Sequence, residues 1–275
     1  MRARGIGAAV LYGRSAARIA RRRRRLGSEE RLVFVVGSPR SGTTVTASLI
    51  GSLPGFVDLD EVQPWKASIP RLVDRPVDEG SRRLRTILER VRRLGLASGL
   101  RGVEQTPETS FVLAAALQAY PQAVAIHVIR DGRDVATSLL ERGWLSAGRT
   151  GADDARLAYG SQARFWVEPE RREEFGLASN ATRAAWAWRR YTTAAQAVPE
   201  RTVEVRYEQL VSAPSEAALA VAEALGVAPD LLAERFSGVH DRSAGRWRRD
   251  LTAEQLTDVE REAGATLASL GYAPS

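Results

Sequence analysis

The sequence predicts an α/β fold in three layers, α/β/α, with helices on both faces of a central, mostly parallel sheet. Three observations predict it. Leu32-Val33-Phe34-Val35-Val36 and residues 123–129 are continuous apolar runs rich in β-branched side chains, the pattern of strands buried on both faces. Each run ends in a loop that opens a helical pattern, the rhythm of βα units. The loop after the first run, Gly37-Ser38-Pro39-Arg40-Ser41-Gly42-Thr43-Thr44, has the glycine spacing of a Walker A loop, so the fold expected is P-loop-like.

The elements follow in order. Residues 43–53 read as a helix and 56–59 as a second strand, completing a βαβ unit. The Arg-rich stretch 71–93 reads as an exposed helix. A helix over 110–120 leads through Pro121 into the strand 123–129, and a helix over 134–141 follows. The polar stretch 143–180, with Gly148 and Gly151, interrupts the rhythm and is the candidate lid or insertion. A helix over 186–197, a strand over 202–205 and a helix over 215–225 restore it. Thr252 and Gln255 form a Thr-x-x-Gln capping box that starts a last helix ending before Gly271.

With 275 residues and 44% hydrophobic content the chain can bury a large core. The division expected is a basic N-terminal segment, 1–30, and one domain, 31–275. No cysteine is present, which excludes disulfides, thiolate metal sites and a cysteine nucleophile. The two histidines, His127 and His240, stand far apart, and His127 lies inside an apolar run, as a packed strand histidine would. No metal site is expected.

The net charge is +7, yet Lys66 is the only lysine among 40 basic residues. That is an arginine bias of the whole chain rather than a binding stripe, and no nucleic-acid motif accompanies it, so no nucleic-acid partner is expected. Residues 1–27 contain no acidic side chain and intersperse arginine with Ile6, Val10, Leu11 and Ile19. One reading is a basic amphipathic helix on an anionic membrane surface; the other is a frayed or packed terminal helix. No stretch approaches a transmembrane span, so the location expected is cytoplasmic, peripheral to the membrane if the first reading holds.

In the Gly37–Thr44 loop, backbone amides and the dipole of the following helix converge on an anion. Thr43 occupies the place of the Walker lysine, and the positive charge sits inside the loop on Arg40. A second constellation, Ile129-Arg130-Asp131-Gly132-Arg133-Asp134, puts Arg130 at the mouth of a strand and Ser138 on the next helix, with Arg142 one turn further. Guanidinium and hydroxyl together suit a terminal phosphate monoester. Two anion sites on one sheet fit a nucleotide phosphorylated at both ends of its ribose.

These motifs, with Glu104-Gln105-Thr106-Pro107, Val205-Arg206-Tyr207-Glu208-Gln209-Leu210 and Arg246-Trp247, occur in the right order. From about residue 32 to 272 the chain resembles the sulfotransferases that use 3′-phosphoadenosine 5′-phosphosulfate (PAPS), in the bacterial branch that also resembles protein-tyrosine sulfotransferases. The resemblance implies that Arg40, Ser41, Gly42, Thr43 and Thr44 hold the 5′-phosphosulfate, and that Arg130, Ser138 and Arg142 hold the 3′-phosphate. It implies that Tyr207 and Arg246 contact the nucleotide, although Tyr207 also reads as a core residue at the end of a strand. It implies catalysis by Arg40, which stabilises the leaving phosphate, and by a glutamate base after the second strand, where Glu61 stands.

Asp60 competes with Glu61 for the role of base, and strand alternation would point the two to opposite sides. Gln105 stands where the resembled family usually has lysine, so either another cation substitutes or the activity is altered. PAPS is the expected co-substrate, without a metal, and the expected partner is a small-molecule, lipid or saccharide hydroxyl acceptor. Trp65, Trp144, Phe165 and Trp166 read either as the wall of an acceptor pocket or as core. Two alternatives stand beside this reading. A P-loop kinase would need a Walker lysine and a Mg²⁺-holding acid, neither of which is found; a non-catalytic nucleotide- or membrane-binding protein would show no turnover.

Overall fold

The computed structural model describes residues 30–93, 100–146, 165–239 and 243–275. The basic segment up to residue 29, the middle of the predicted insertion with Gly148 and Gly151, and His240 lie outside the described residues.

Among the described residues five strands form one sheet: β1 (Val33–Val36), β2 (Phe56–Asp60), β3 (Arg101–Glu104), β4 (Val124–Ile129) and β5 (Thr202–Arg206). Their order is β2-β3-β1-β4-β5, and every pairing is parallel. Among the described residues the α-helices are α1 (Thr43–Gly51), α2 (Gln63–Lys66), α3 (Val77–Arg93), α4 (Leu113–Ala119), α5 (Gly132–Arg142), α6 (Arg172–Leu177), α7 (Asn180–Ala195), α8 (Tyr207–Ser212), α9 (Pro214–Leu225), α10 (Pro229–Phe236), α11 (Trp247–Asp250) and α12 (Ala253–Ser269).

The three layers follow from the central strand. Val33 and Val35 of β1 join a core with Ala47 and Ile50 of α1, Val221 of α9 and Phe236 of α10. The intervening Leu32, Phe34 and Val36 join the opposite core with Leu84 and Leu88 of α3, Leu113 of α4 and Tyr191 of α7. Both faces are sealed, as the unbroken apolar run requires. A third cluster packs α5, α7 and α12 together through Val135, Trp188 and Val259. His127 is fully buried on β4, the packed strand histidine expected.

Several elements differ from expectation. β1 and β2 do not pair, because β3 lies between them. β3 is an element that the sequence pattern does not lead one to expect, being short and charged at both ends. Its Arg101 is buried because it donates to the carbonyls of Arg31, at 2.8 Å, and Leu225, at 2.5 Å. α3 is half-buried rather than exposed, with Leu84 and Leu88 in the core. α7 starts at Asn180, earlier than expected, where the Ser179 hydroxyl caps it by accepting from the Thr182 amide at 3.1 Å. α10 was not expected, and it buries Leu232 and Phe236. The capping box at Thr252 and Gln255 is present as read.

From β1 the chain crosses to β2 on one side, while β4 flanks β1 on the other. A crevice therefore opens at the carboxyl ends of β1 and β4, the usual ligand position in such sheets.

Candidate active site

Each strand delivers one part of the site at its carboxyl end. After β1, the loop turns through Gly37 at φ 141°, Arg40 at φ 73° and Gly42 at φ 101°. Close approach explains the two glycines: a Cβ on Gly37 would stand 2.5 Å from the Val128 carbonyl, and one on Gly42 would stand 2.6 Å from the Tyr207 ring. The Ser41 amide donates to the Ser38 carbonyl at 3.1 Å, a backbone bond that shapes the loop, and the Ser41 hydroxyl is buried without a hydrogen-bond partner among the described residues. The first turn of α1, from Thr43, opens toward the crevice with no side chain capping its amides.

Arg40 links the loop to the second constellation. Its Nε donates to Ser138 Oγ at 3.0 Å, and its carbonyl accepts from Arg130 Nη1 at 3.1 Å. Burial, and then the nearby Arg142 and Arg130, lower the pKa of the Arg40 guanidinium. The cluster is short of negative charge.

Around Arg130 the acidic residues of the motif do structural work. Asp131 caps α5 by accepting from the Arg133 amide at 2.9 Å. Gly132 leaves room for Trp188, whose indole would stand 2.6 Å from a Cβ there and donates to the Arg130 carbonyl at 3.1 Å. The fully buried Asp134 accepts from the amides of Gly245, at 2.7 Å, and Trp247, at 3.0 Å. Burial raises its pKa and those two bonds oppose the rise. Asp134 thereby fixes the turn that carries Ser243 and Arg246.

Two cavities meet at this loop. The first, of about 520 Å³, is lined by Arg40, Gly42, Thr43, Thr44, Arg130, Ser138, Arg142, Tyr207, Ser243 and Arg246. Four arginines face it, with Glu141 as the one acid among its lining residues. Tyr207, the first residue of α8, is both core and wall: its ring packs 4.6 Å from the Arg130 guanidinium and its hydroxyl lies 2.9 Å from Ser243 Oγ. Arg246 is held by Glu141 and by Asp250, the latter at 2.9 Å.

The second cavity, of about 220 Å³, shares Arg40, Thr43 and Thr44 with the first. Its other lining residues include Glu61, Lys66, Glu108 and Tyr191, and the apolar or aromatic Leu139, Trp144, Leu145 and Trp166. Trp144 and Trp166 are therefore wall, whereas Trp65 and Phe165 are fully buried core. Trp65 donates to Thr109 Oγ1 at 2.8 Å.

Glu61 Oε2 lies 2.8 Å from Lys66 Nζ. Burial raises the Glu61 pKa, Lys66 pulls it down, and Glu108 adds to the rise. The alternation expected between Asp60 and Glu61 does not apply. Asp60 sits at φ 57°, and the β2–β3 register shifts between Asp58 and Asp60. The carboxylate of Asp60 accepts from Gln105 Nε2 at 2.7 Å and from the Glu61 amide at 2.8 Å. Gln105 in turn accepts from Thr44 Oγ1 at 3.2 Å, so it bridges loop and β2.

Lys66 and Glu108 are site residues that the sequence reading passed over. Lys66 carried a signal, being the only lysine in an arginine-rich chain. Glu108 carried none. Among the described residues no group of three or more His, Asp or Glu side chains is placed to hold a metal ion, and no helix is long and apolar enough to cross a membrane.

A model of the sulfotransferase family matches residues 85–230, more than half of the chain. The chain belongs to the sulfotransferase family. The matched stretch includes Gln105, Arg130, Ser138, Arg142 and Tyr207, while the Gly37–Thr44 loop and Glu61 precede it. No curated protein sequence matches this sulfotransferase. Among solved structures, it is similar to the sulfotransferase domain from the curacin biosynthetic pathway, at 14% identity and a TM-score of 0.55 over 91% of this chain and 100% of that one. It is also similar to sulfotransferase STF1 from Mycobacterium tuberculosis H37Rv, at 15% identity and a TM-score of 0.51 over 94% of this chain and 83% of that one. Sulfotransferase STF9 from Mycobacterium avium is similar at 16% identity and a TM-score of 0.51, over 89% of this chain and 78% of that one. These likenesses support the fold, an α/β sulfotransferase architecture.

Proposed function

We propose that this sulfotransferase moves the sulfuryl group of PAPS onto an acceptor hydroxyl. One observation carries the reading: an arginine-ringed cavity and a carboxylate-bearing cavity meet at Arg40, Thr43 and Thr44. A donor with anionic groups at both ends of its ribose fits the first cavity. An acceptor fits the second, and the sulfur would lie where they join.

In this reading Arg130, Ser138 and Arg142 take the 3′-phosphate, and Tyr207 and Arg246 close around the nucleotide. The loop from Arg40 to Thr44 takes the 5′-phosphosulfate, with Ser41 keeping its shape. The acceptor oxygen attacks sulfur in line, the bond from sulfur to the bridging phosphate oxygen breaks, and 3′-phosphoadenosine 5′-phosphate (PAP) leaves. Negative charge grows on that bridging oxygen, where Arg40 and the first amides of α1 stabilise it. Glu61 accepts the hydroxyl proton; its raised pKa makes it a stronger base than an exposed carboxylate, and Lys66 holds it in place and keeps it ionised. The residues present require no metal for any of these steps.

The test is transfer of labelled sulfuryl from PAPS to a panel of alcohols, phenols and saccharides in the presence of a chelator. Label in an acceptor with matching release of PAP supports the reading. Phosphoryl transfer from ATP with a strict Mg²⁺ requirement overturns it in favour of a kinase. PAP binding with no transfer to any acceptor supports a non-catalytic binding protein.

A further inference from the structure

Glu108 stands on the turn after β3 and lines the smaller cavity, although the sulfuryl-transfer chemistry above does not use it. It is 6% exposed. Its Oε1 accepts from the Tyr191 hydroxyl at 3.0 Å, while its Oε2 is buried with no hydrogen-bond partner. Glu61 in the same cavity has Lys66 as its counter-charge. A buried carboxylate oxygen without a donor is costly, and the cost vanishes when a ligand supplies an O–H or N–H. The lining also includes Leu139, Trp144, Leu145 and Trp166, which offer mainly apolar and aromatic surface.

We propose that Glu108, set by Tyr191, selects the acceptor: a compact molecule with one apolar face that carries a second hydrogen-bond donor, hydroxyl or protonated amine, beside the hydroxyl to be sulfated. This rests on the smaller cavity being the acceptor side, as in the reading above. A polyol or amino alcohol would engage both carboxylates at once, its reacting hydroxyl at Glu61 and its second donor at Glu108, whose occluded Oε2 reaches the cavity by a turn of the carboxylate group. A monohydric alcohol or simple phenol would leave that oxygen unpaired, and sites built around a buried polar partner reject ligands that lack it. The cavity, at about 220 Å³, accommodates a single ring.

Three probes of nearly one shape test this: cyclohexanol, cis-cyclohexane-1,2-diol and trans-2-aminocyclohexanol. Their dissociation constants are measured by ligand-observed NMR on the full chain, with and without PAP, for wild type, Glu108→Met and Glu108→Gln. The expected result is that one or both two-donor probes bind wild type at least about tenfold tighter than cyclohexanol, a difference of about 1.4 kcal/mol. Glu108→Met should remove that advantage while leaving cyclohexanol unchanged. Glu108→Gln keeps shape but not charge, so it should remove the preference for the amine before that for the diol; it also serves if Glu108→Met does not fold. Diol preference marks a saccharide-like acceptor, amine preference an amino alcohol. Equal affinities in wild type, an advantage that survives loss of the carboxylate, or no binding of any probe overturns the proposal. PAP binding, followed by melting temperature, separates the two readings. Loss of PAP binding with discrimination intact removes the donor assignment, whereas PAP binding without discrimination removes the role of Glu108.

Discussion

Lys66 Nζ lies 2.8 Å from Glu61 Oε2, so the only lysine in the chain pairs with the carboxylate proposed above as the base. Burial alone would push the Glu61 pKa up, and Lys66 restrains the rise. The base works only when ionised, so transfer should fall as pH drops through the folded-state pKa, which lies above the ordinary glutamate value. Lys66→Met removes the restraint and should move this acid limb to higher pH. Glu61→Gln should lower turnover by roughly 10² to 10⁴ with PAP affinity preserved. Single-turnover pH profiles with the best acceptor from the screen check both. An acid limb that stays in place in Lys66→Met, or full activity in Glu61→Gln beside a dead, folded Asp60→Asn, would remove Glu61 from the mechanism.

The nucleotide assignment makes a prediction about ratios. Arg130 donates to the Arg40 carbonyl and to the Ser243 carbonyl, so its loss would loosen the loop and weaken any nucleotide. The specific signal is the preference for PAP over 5′-AMP, which lacks the 3′-phosphate. In Arg130→Ala that preference should shrink by a factor corresponding to about 1.5 to 3 kcal/mol for each charged hydrogen bond lost. Ser138→Ala should shrink it less. Calorimetric titrations with both nucleotides, without Mg²⁺, decide; a preference unchanged in Arg130→Ala places the 3′-phosphate elsewhere.

How much of this was readable from the chain depends on how local the signal is. Val33 to Val36 and the glycines of the following loop are contiguous, and each is dictated by its immediate geometry, so the central strand and its loop were legible. Arg130, Ser138 and Arg142 lie within four turns of one another and were legible for the same reason. β3 was not, because its burial of Arg101 depends on carbonyls of Arg31 and Leu225 that are distant in sequence. Strand alternation does not carry through Asp60, which has a positive φ beside the register shift with β3, and pattern alone does not reveal a bulge, although Glu61 lines the cavity and Asp60 does not. Glu108 meets Tyr191 across 83 residues of chain, a pairing that no local motif encodes.

Glu104 predicts how stability depends on pH. It is fully buried at the end of β3, and burial pushes its pKa up to about 7 even though the Thr106 amide and the hydroxyls of Thr106 and Thr109 bond it. A carboxylate that binds its proton more tightly when folded destabilises the fold as it ionises. Its contribution is therefore neutral below the ordinary glutamate value and grows unfavourable as pH rises toward the folded pKa, reaching on the order of 3 kcal/mol above it. Glu104→Gln should raise the melting temperature at pH 8 more than at pH 5, since the amide keeps an acceptor for Thr106. Denaturation at the two values checks this, and an equal change at both removes Glu104 as the cause.

The last prediction concerns Gln105, the position where the resembled family usually has lysine. Here Gln105 is almost fully buried, donates to Asp60 and accepts from Thr44. A lysine at this position cannot accept, so the Thr44 hydroxyl at the start of α1 would lose its partner. Its ammonium would also lie within reach of the Asp60 carboxylate, which would hold it away from the leaving group. Gln105→Lys alone should therefore leave the chemical step unchanged or slow it. Asp60→Asn combined with Gln105→Lys frees the cation, which then acts on charge that develops mainly in the transition state. The double variant should exceed Gln105→Lys by at least about tenfold, or about 1.4 kcal/mol of barrier. Single-turnover rates for the wild type, both single variants and the double variant form a cycle, whose interaction energy is the coupling between Asp60 and the new cation. A rate gain in Gln105→Lys by itself would show that Asp60 does not capture the charge, and a cycle with no interaction energy would show that the two positions act independently.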